Sequence, residues 1–116
     1  MKKVKINELT GIALDYAVAK AVGVDVDIGS EFIIDKNRCV YAPTGSWVIC
    51  GELIDTYWIE LSMDVIEGDE RWYASPVHLI GNYADASTPR EAICRSVVMI
   101  EFDDVVDIPD ELLVES

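Results

Sequence analysis

Two arginines, Arg90 and Arg95, follow a Thr-Pro pair in the stretch ASTPREAICRSV at residues 86–97. They are half of the four arginines in a chain of formal net charge -13, so this stretch is a natural place to hold an anion. Thr88 is a candidate N-cap, Pro89 fits the first helical position, and Glu91 completes a Thr-x-x-Glu capping box. The same helix start would offer free N–H groups and partial positive charge, and an arginine beside it would add a bidentate donor for phosphate. Capping alone accounts for Thr88, Pro89 and Glu91. Arg95, one turn beyond Glu91, gains an i,i+4 ion pair of roughly 0.2–0.5 kcal/mol. Arg90 gains nothing from the cap.

Six aromatics, Tyr41, Trp47, Tyr57, Trp58, Trp72 and Tyr73, fall within 33 residues. Most belong in a core, but one or two at a pocket mouth beside an arginine would make a stacking platform for a base-like ring. His78 is the lone histidine, and no motif supplies it with a nucleophile or an orienting acid, so it reads as structural. Asp64, Glu67, Asp69 and Glu70 lack calcium-loop spacing and read as a solvated turn. There is no Gly-rich phosphate loop, no H-E-x-x-H and no G-x-S-x-G. No catalytic residue, metal or cofactor is expected, and the chain reads as a non-enzyme. Cys39, Cys50 and Cys94, odd in number and without C-x-x-C spacing, read as reduced core residues.

At 116 residues, 51% of them hydrophobic, the chain suffices for one folded domain. No apolar run approaches the roughly 20 residues that span a bilayer, and MKKVKINELTG lacks a signal-peptide pattern, so the cytoplasm of the host cell is the expected location. Twenty-two acids against nine bases argue against direct nucleic-acid binding, because phosphates would be repelled. Residues 101–116 carry seven of those acids and no base, with 108–116 expected as an acidic tail.

The elements that must position these groups follow from pattern. KKVKI alternates as a strand, and NELTGIALDYAVAKAVG reads as a helix capped by Asn7 and stopped by Gly23. VDVDIGSE reads as an exposed edge or loop, and EFIIDKNRCVYA as a hairpin. WVICGELI and TYWIELSMDVI are rich in β-branched and aromatic residues and read as β structure, and RWYASPVHLIG continues as β or irregular structure. A second helix begins near Thr88, and VVDIP offers a last strand. The expected fold is α+β: one compact domain over 1–116, with two main helices packed on a small, mainly antiparallel sheet.

The residues also resemble a family. ELTGIALDYAVAKAVG at 8–23 is similar to the start of the NinX-like proteins, small proteins of lambda-type phages and prophages. In YAPTGSWVICGELI, Tyr41, Pro43, Thr44, Trp47, Gly51 and Ile54 fall on a Tyr-x-Pro-Ser/Thr-x-x-Trp…Gly…Ile pattern. Trp72 and Ala74 fit Trp-x-Ala, and Thr88, Pro89, Ala92 and Arg95 fit Thr-Pro-x-x-Ala-x-x-Arg. The segment DTYWIELSMDVIEGDE departs from the pattern, and Arg90 stands where relatives often carry an apolar residue. The resemblance implies a phage-encoded accessory protein and no reaction.

Taken with that resemblance, Tyr41, Thr44, Trp47, Trp72, Thr88 and Arg95 are the expected ligand-binding residues. The expected function is non-catalytic counter-defence: a homo-oligomer that sequesters a small nucleotide-derived immune signal. A ring would stack on Trp47 or Trp72, and phosphate would meet Arg95 and the Thr88 helix start. The alternative is an acidic modulator whose terminal acids imitate a phosphate track and dock on a basic host protein.

Overall fold

The computed structural model describes residues 1–29, 32–77 and 83–113. Strand β1 (Lys2–Lys5) is followed by one 3-10 turn over Ile6–Glu8 and then by helix α1 (Gly11–Val22). Asn7, the expected cap, lies inside the turn, and Thr10 takes the N-cap position instead. Gly11 explains the shift, because its φ of +58 is a left-handed bend that separates turn from helix. Gly23 ends α1 as expected, its N–H donating to Ala19 O. Residues Ala13 to Ala19 are buried without a break, so α1 is enclosed on most sides. That run includes the acid Asp15.

The largest departure from expectation lies at residues 47–57. Trp47–Tyr57 forms helix α2 and not a strand. Its composition favours β structure, but Ile49, Cys50, Leu53, Ile54 and Tyr57 recur at helical spacing, and all five are buried or packed against the core. Ser46 caps it, with Oγ accepting from Ile49 N at 3.3 Å. A 3-10 turn over Pro43–Gly45 leads into that cap. Periodicity outweighs propensity here because burial of a continuous apolar face contributes more than the preference of any one residue.

Helix α3 (Pro89–Phe102) is the hub and buries every residue from Ala92 to Val98. It packs on α1, on α2 and on two strands, β5 (Asp69–Pro76) and β6 (Ala84–Ala86). Ala74, Ala84 and Ala86 are buried on those strands, and their small side chains let the helix approach closely. Against them stand Ile93, Val97 and Val98 at 0% exposure, each stabilising the fold by roughly 1.5–3 kcal/mol through burial.

The expected single sheet is three small ones, and the expected two main helices are three. Strand β1 pairs with β7 (Val105–Ile108), and β2 (Val26–Ile28) pairs with β3 (Ile33–Asp35). Strand β4 (Ile59–Ile66) joins β5 and β6 in the order β4-β5-β6, and all these pairings are antiparallel. The architecture is α+β. Glu67 and Gly68, at φ 53 and 87, form the two-residue turn of the β4–β5 hairpin, the handedness that matches strand twist. In the segment read as an acidic tail, Ile108, Pro109 and Leu112 are buried while Asp110 and Glu111 face solvent. Its apolar residues dock on the body as far as Leu112.

Candidate functional site

Arg95 is 8% exposed, because α3 carries it inward between β6 and the start of α1. Its Nε and Nη2 donate to Leu9 O at 3.0 and 2.8 Å, and its Nη1 donates to Asp85 O at 2.7 Å. The expected pair with Glu91 is present but long, at 3.9 Å. All three guanidinium nitrogens are therefore engaged within the fold. The cleft of about 310 Å³ beside Arg95 is also lined by Asp85, Asp103 and Asp104, which repel an anion. The expected phosphate role of Arg95 is thus corrected: it is a staple joining α3, β6 and the start of α1.

The groups that do converge on the surface are Thr44, Trp47 and Arg90, with Asp15 beneath them. The 3-10 turn puts Thr44 at the centre. Its N–H donates to the Asp15 carboxylate at 2.8 Å, and its carbonyl accepts from Arg90 Nε at 3.3 Å. Arg90 lies over the Trp47 ring, 5.2 Å from its centroid, and that ring is 50% exposed. Among the described residues, Thr44 O is the one hydrogen-bond partner of the half-buried Arg90 guanidinium. Burial pushes the Asp15 carboxyl up to about 6, opposed by the hydrogen bonds from Thr44.

Thr88 serves as the cap expected of it. Its Oγ1 accepts from Glu91 N at 3.2 Å and donates to the Glu91 carboxylate at 3.4 Å. Thr88→Ala should therefore cost about 1 kcal/mol in urea unfolding. An unchanged midpoint would show that the cap contributes nothing. Below the turn, the Cys50 thiol donates to Pro43 O at 3.1 Å. The neighbouring Cys50 thiol, together with burial, pushes Cys94 up, and the neighbouring Cys94 thiol pulls Cys50 down. Both are buried core thiols, whereas Cys39 is exposed, on the turn after β3.

Neither Tyr41 nor Trp72 has a described hydrogen bond or ring contact with Trp47 or Arg90. Tyr41 is half-buried, its N–H donates to Ile33 O at 3.0 Å, and burial is the main cause that pushes its phenol up to about 12. Trp72 lies on β5 between Met63 and Ala86 in the register and packs against the core. No described hydrogen bond or ring contact joins it to Trp47. His78 lies outside the described residues. Among the described residues no group of three His, Cys, Asp or Glu side chains could hold a metal ion, and no helix is long and apolar enough to cross a membrane.

Sequence reasoning missed Asp15 and undervalued Arg90. Asp15 had a visible signal, a lone acid inside the apolar run IALDYAVA. Arg90 had none, because its partner Trp47 lies 43 positions away on another helix.

No curated protein matches the chain. The family model described as Bacteriophage P22, NinX matches residues 5–101, which hold α1, the Thr44–Trp47 segment and nearly all of α3. The chain belongs to the NinX family of bacteriophage P22.

Proposed function

We propose that the protein is a non-catalytic phage accessory protein that acts in counter-defence by sequestering a small, nucleotide-derived immune signal on the Trp47–Arg90 face. The observation that carries this reading is a half-exposed indole with a guanidinium over it whose Nη atoms donate to no described residue. A base or similar ring can stack on such an indole while those Nη atoms meet a phosphate oxygen. Asp15 points inward onto Thr44 N, and Glu91 is tied to Thr88 and Arg95. Capture needs affinity and no chemistry, which suits a face built without a nucleophile.

Calorimetry with cyclic dinucleotides and ADP-ribose-type signals tests the reading. Binding should be present in the wild type. Since stacking is worth about 1–3 kcal/mol per base, Trp47→Ala should weaken it roughly 5- to 150-fold. An absence of heat with every such ligand would sink it.

A second reading has its own observation. Glu101, Asp103, Asp104, Asp107, Asp110 and Glu111 are all exposed, so this segment presents a run of acids to a basic protein surface. Neutralising Asp103, Asp104 and Asp107 to Asn tests it better than truncation, because Pro109 and Leu112 are buried. Unchanged capture of a basic host protein by that variant would refute it.

A further inference from the structure

Every residue from Ser62 to Glu70 in the β4–β5 hairpin is exposed, so the hairpin projects past the core as an arm. Side chains on a strand alternate faces. Ile59 is buried and Leu61 packs on the core, so Met63 and Val65 continue that same face outward, with Trp72 opposite Met63. Met63 and Val65 are 46% and 55% exposed. The underside of the arm therefore carries Met63, Val65 and Trp72, with Glu70 opposite Val65 at its outer end, and has nothing beneath that outer half among the described residues. Its tip carries Asp64, Glu67, Asp69 and Glu70, and the outer edge of β4 has no strand partner among the described residues.

The complementary surface is on the same chain. Four of the five lysines, Lys2, Lys3, Lys5 and Lys20, gather on β1 and the last turn of α1. A groove of about 420 Å³ opens there, with Phe102, Val105 and Val106 as apolar lining and Lys3 and Lys20 beside them. Asp107 is the single acid on its lining. No described ion pair ties down any of the four lysines. This is the basic patch of a chain whose net charge is -13.

We propose that the chain pairs with a second copy of itself, each laying the underside of its β4–β5 arm into the lysine-edged groove of the other about a two-fold axis. Charge selects this pairing over the obvious rival. Two arms packed face to face would bring Glu70 on one underside and the acidic tip around Glu67 against their copies, and like charges in contact oppose association. Arm against groove places those carboxylates beside ammonium groups and apolar side chains beside apolar side chains. A two-fold axis makes the contact twice, which helps a thin arm toward the roughly 800 Å² per partner of an ordinary stable interface.

Sedimentation velocity of the full chain at 50 and 500 mM NaCl is the first test. The wild type should be a dimer at low salt, with a dissociation constant rising at least about tenfold at high salt as the ion pairs are screened. A monomer at both salts overturns the proposal and leaves the groove to another occupant. A dimer that tightens with salt overturns it in favour of arm-to-arm contact. The second test swaps charges at exposed positions. A Lys3→Glu, Lys5→Glu, Lys20→Glu variant and an Asp64→Lys, Asp69→Lys, Glu70→Lys variant should each be monomeric, and mixing them should restore a dimer. Failure to restore it, with both variants showing wild-type circular dichroism, overturns the proposal. If either variant is unfolded, the salt series on the wild type still decides.

Discussion

Arg95→Ala is expected to lower the stability of the protein by about 3–5 kcal/mol, among the largest effects of any single substitution. The side chain is 8% exposed and donates three hydrogen bonds, two to Leu9 O and one to Asp85 O. Removing it leaves two carbonyls without their donor and leaves Glu91 without its cation. An unpaired buried polar group costs about 1–3 kcal/mol, and a hydrogen bond to a charged group contributes about 1.5–3 kcal/mol. Against a total of about 5–15 kcal/mol for a domain, that loss is a large fraction. Urea unfolding should show a lower midpoint with an unchanged slope, and the melting temperature should fall by about 12–20 °C. Arg95→Lys should recover only part of the loss, since one ammonium cannot span carbonyls on two different elements. A loss below 1 kcal/mol for Arg95→Ala would falsify the staple and return Arg95 to the surface role its sequence suggested.

The second large effect is a pH dependence centred on Asp15. Burial raises its carboxyl to about 6 from an ordinary 3.8, so the folded state favours the protonated form. The sign follows by linkage. The contribution of Asp15 is fully present below about pH 4, where the acid is protonated both folded and unfolded. It is lost as pH rises through about 6, where the folded state must carry a buried charge. The size is at most about 3 kcal/mol, since each pKa unit corresponds to about 1.36 kcal/mol. General repulsion among the other acids acts in the same direction, so the comparison must be with Asp15→Asn. That amide keeps an oxygen for Thr44 N and never ionises. The variant should match the wild type near pH 4 and exceed it by about 2–3 kcal/mol at pH 7.5 in urea unfolding. An equal gap at the two pH values would show that Asp15 titrates as an ordinary carboxylate.

Much of the fold was legible because its signals are local. KKVKI gave β1, Gly23 marked the end of α1, Thr88 to Glu91 marked the start of α3, and VVDIP gave β7. The errors share one physical origin. Helix α2 hides under β-favouring residues, and only its spacing of Ile49, Cys50, Leu53, Ile54 and Tyr57 gives it away. The candidate site was less legible still. Thr44 and Trp47 were singled out by type, and the fold sets both against Arg90. Arg90 and Arg95 exchanged roles. Both sit on one helix five positions apart, and their sequence surroundings do not say which faces inward. That depends on where Leu9, 86 positions from Arg95, is brought by the packing of α1 on α3. A side chain's duty is set by its partner, and here each partner lies on another element.

The pairing of β1 with β7 sets the order of assembly. Lys2 meets Ile108 and Lys5 meets Val105, so this ladder closes a loop of about 100 residues. Closing such a loop costs roughly 4 kcal/mol in chain entropy, apart from a constant. Helix α3 and the β4–β5 hairpin need no such closure and can form among near neighbours. During synthesis β1 leaves the ribosome early and must wait for β7, the fourth strand after the β2–β3 hairpin, to emerge. Throughout that wait its lysines repel one another and its backbone edge stays solvated, which keeps the unpaired strand from sticking to its neighbours until the chain can close.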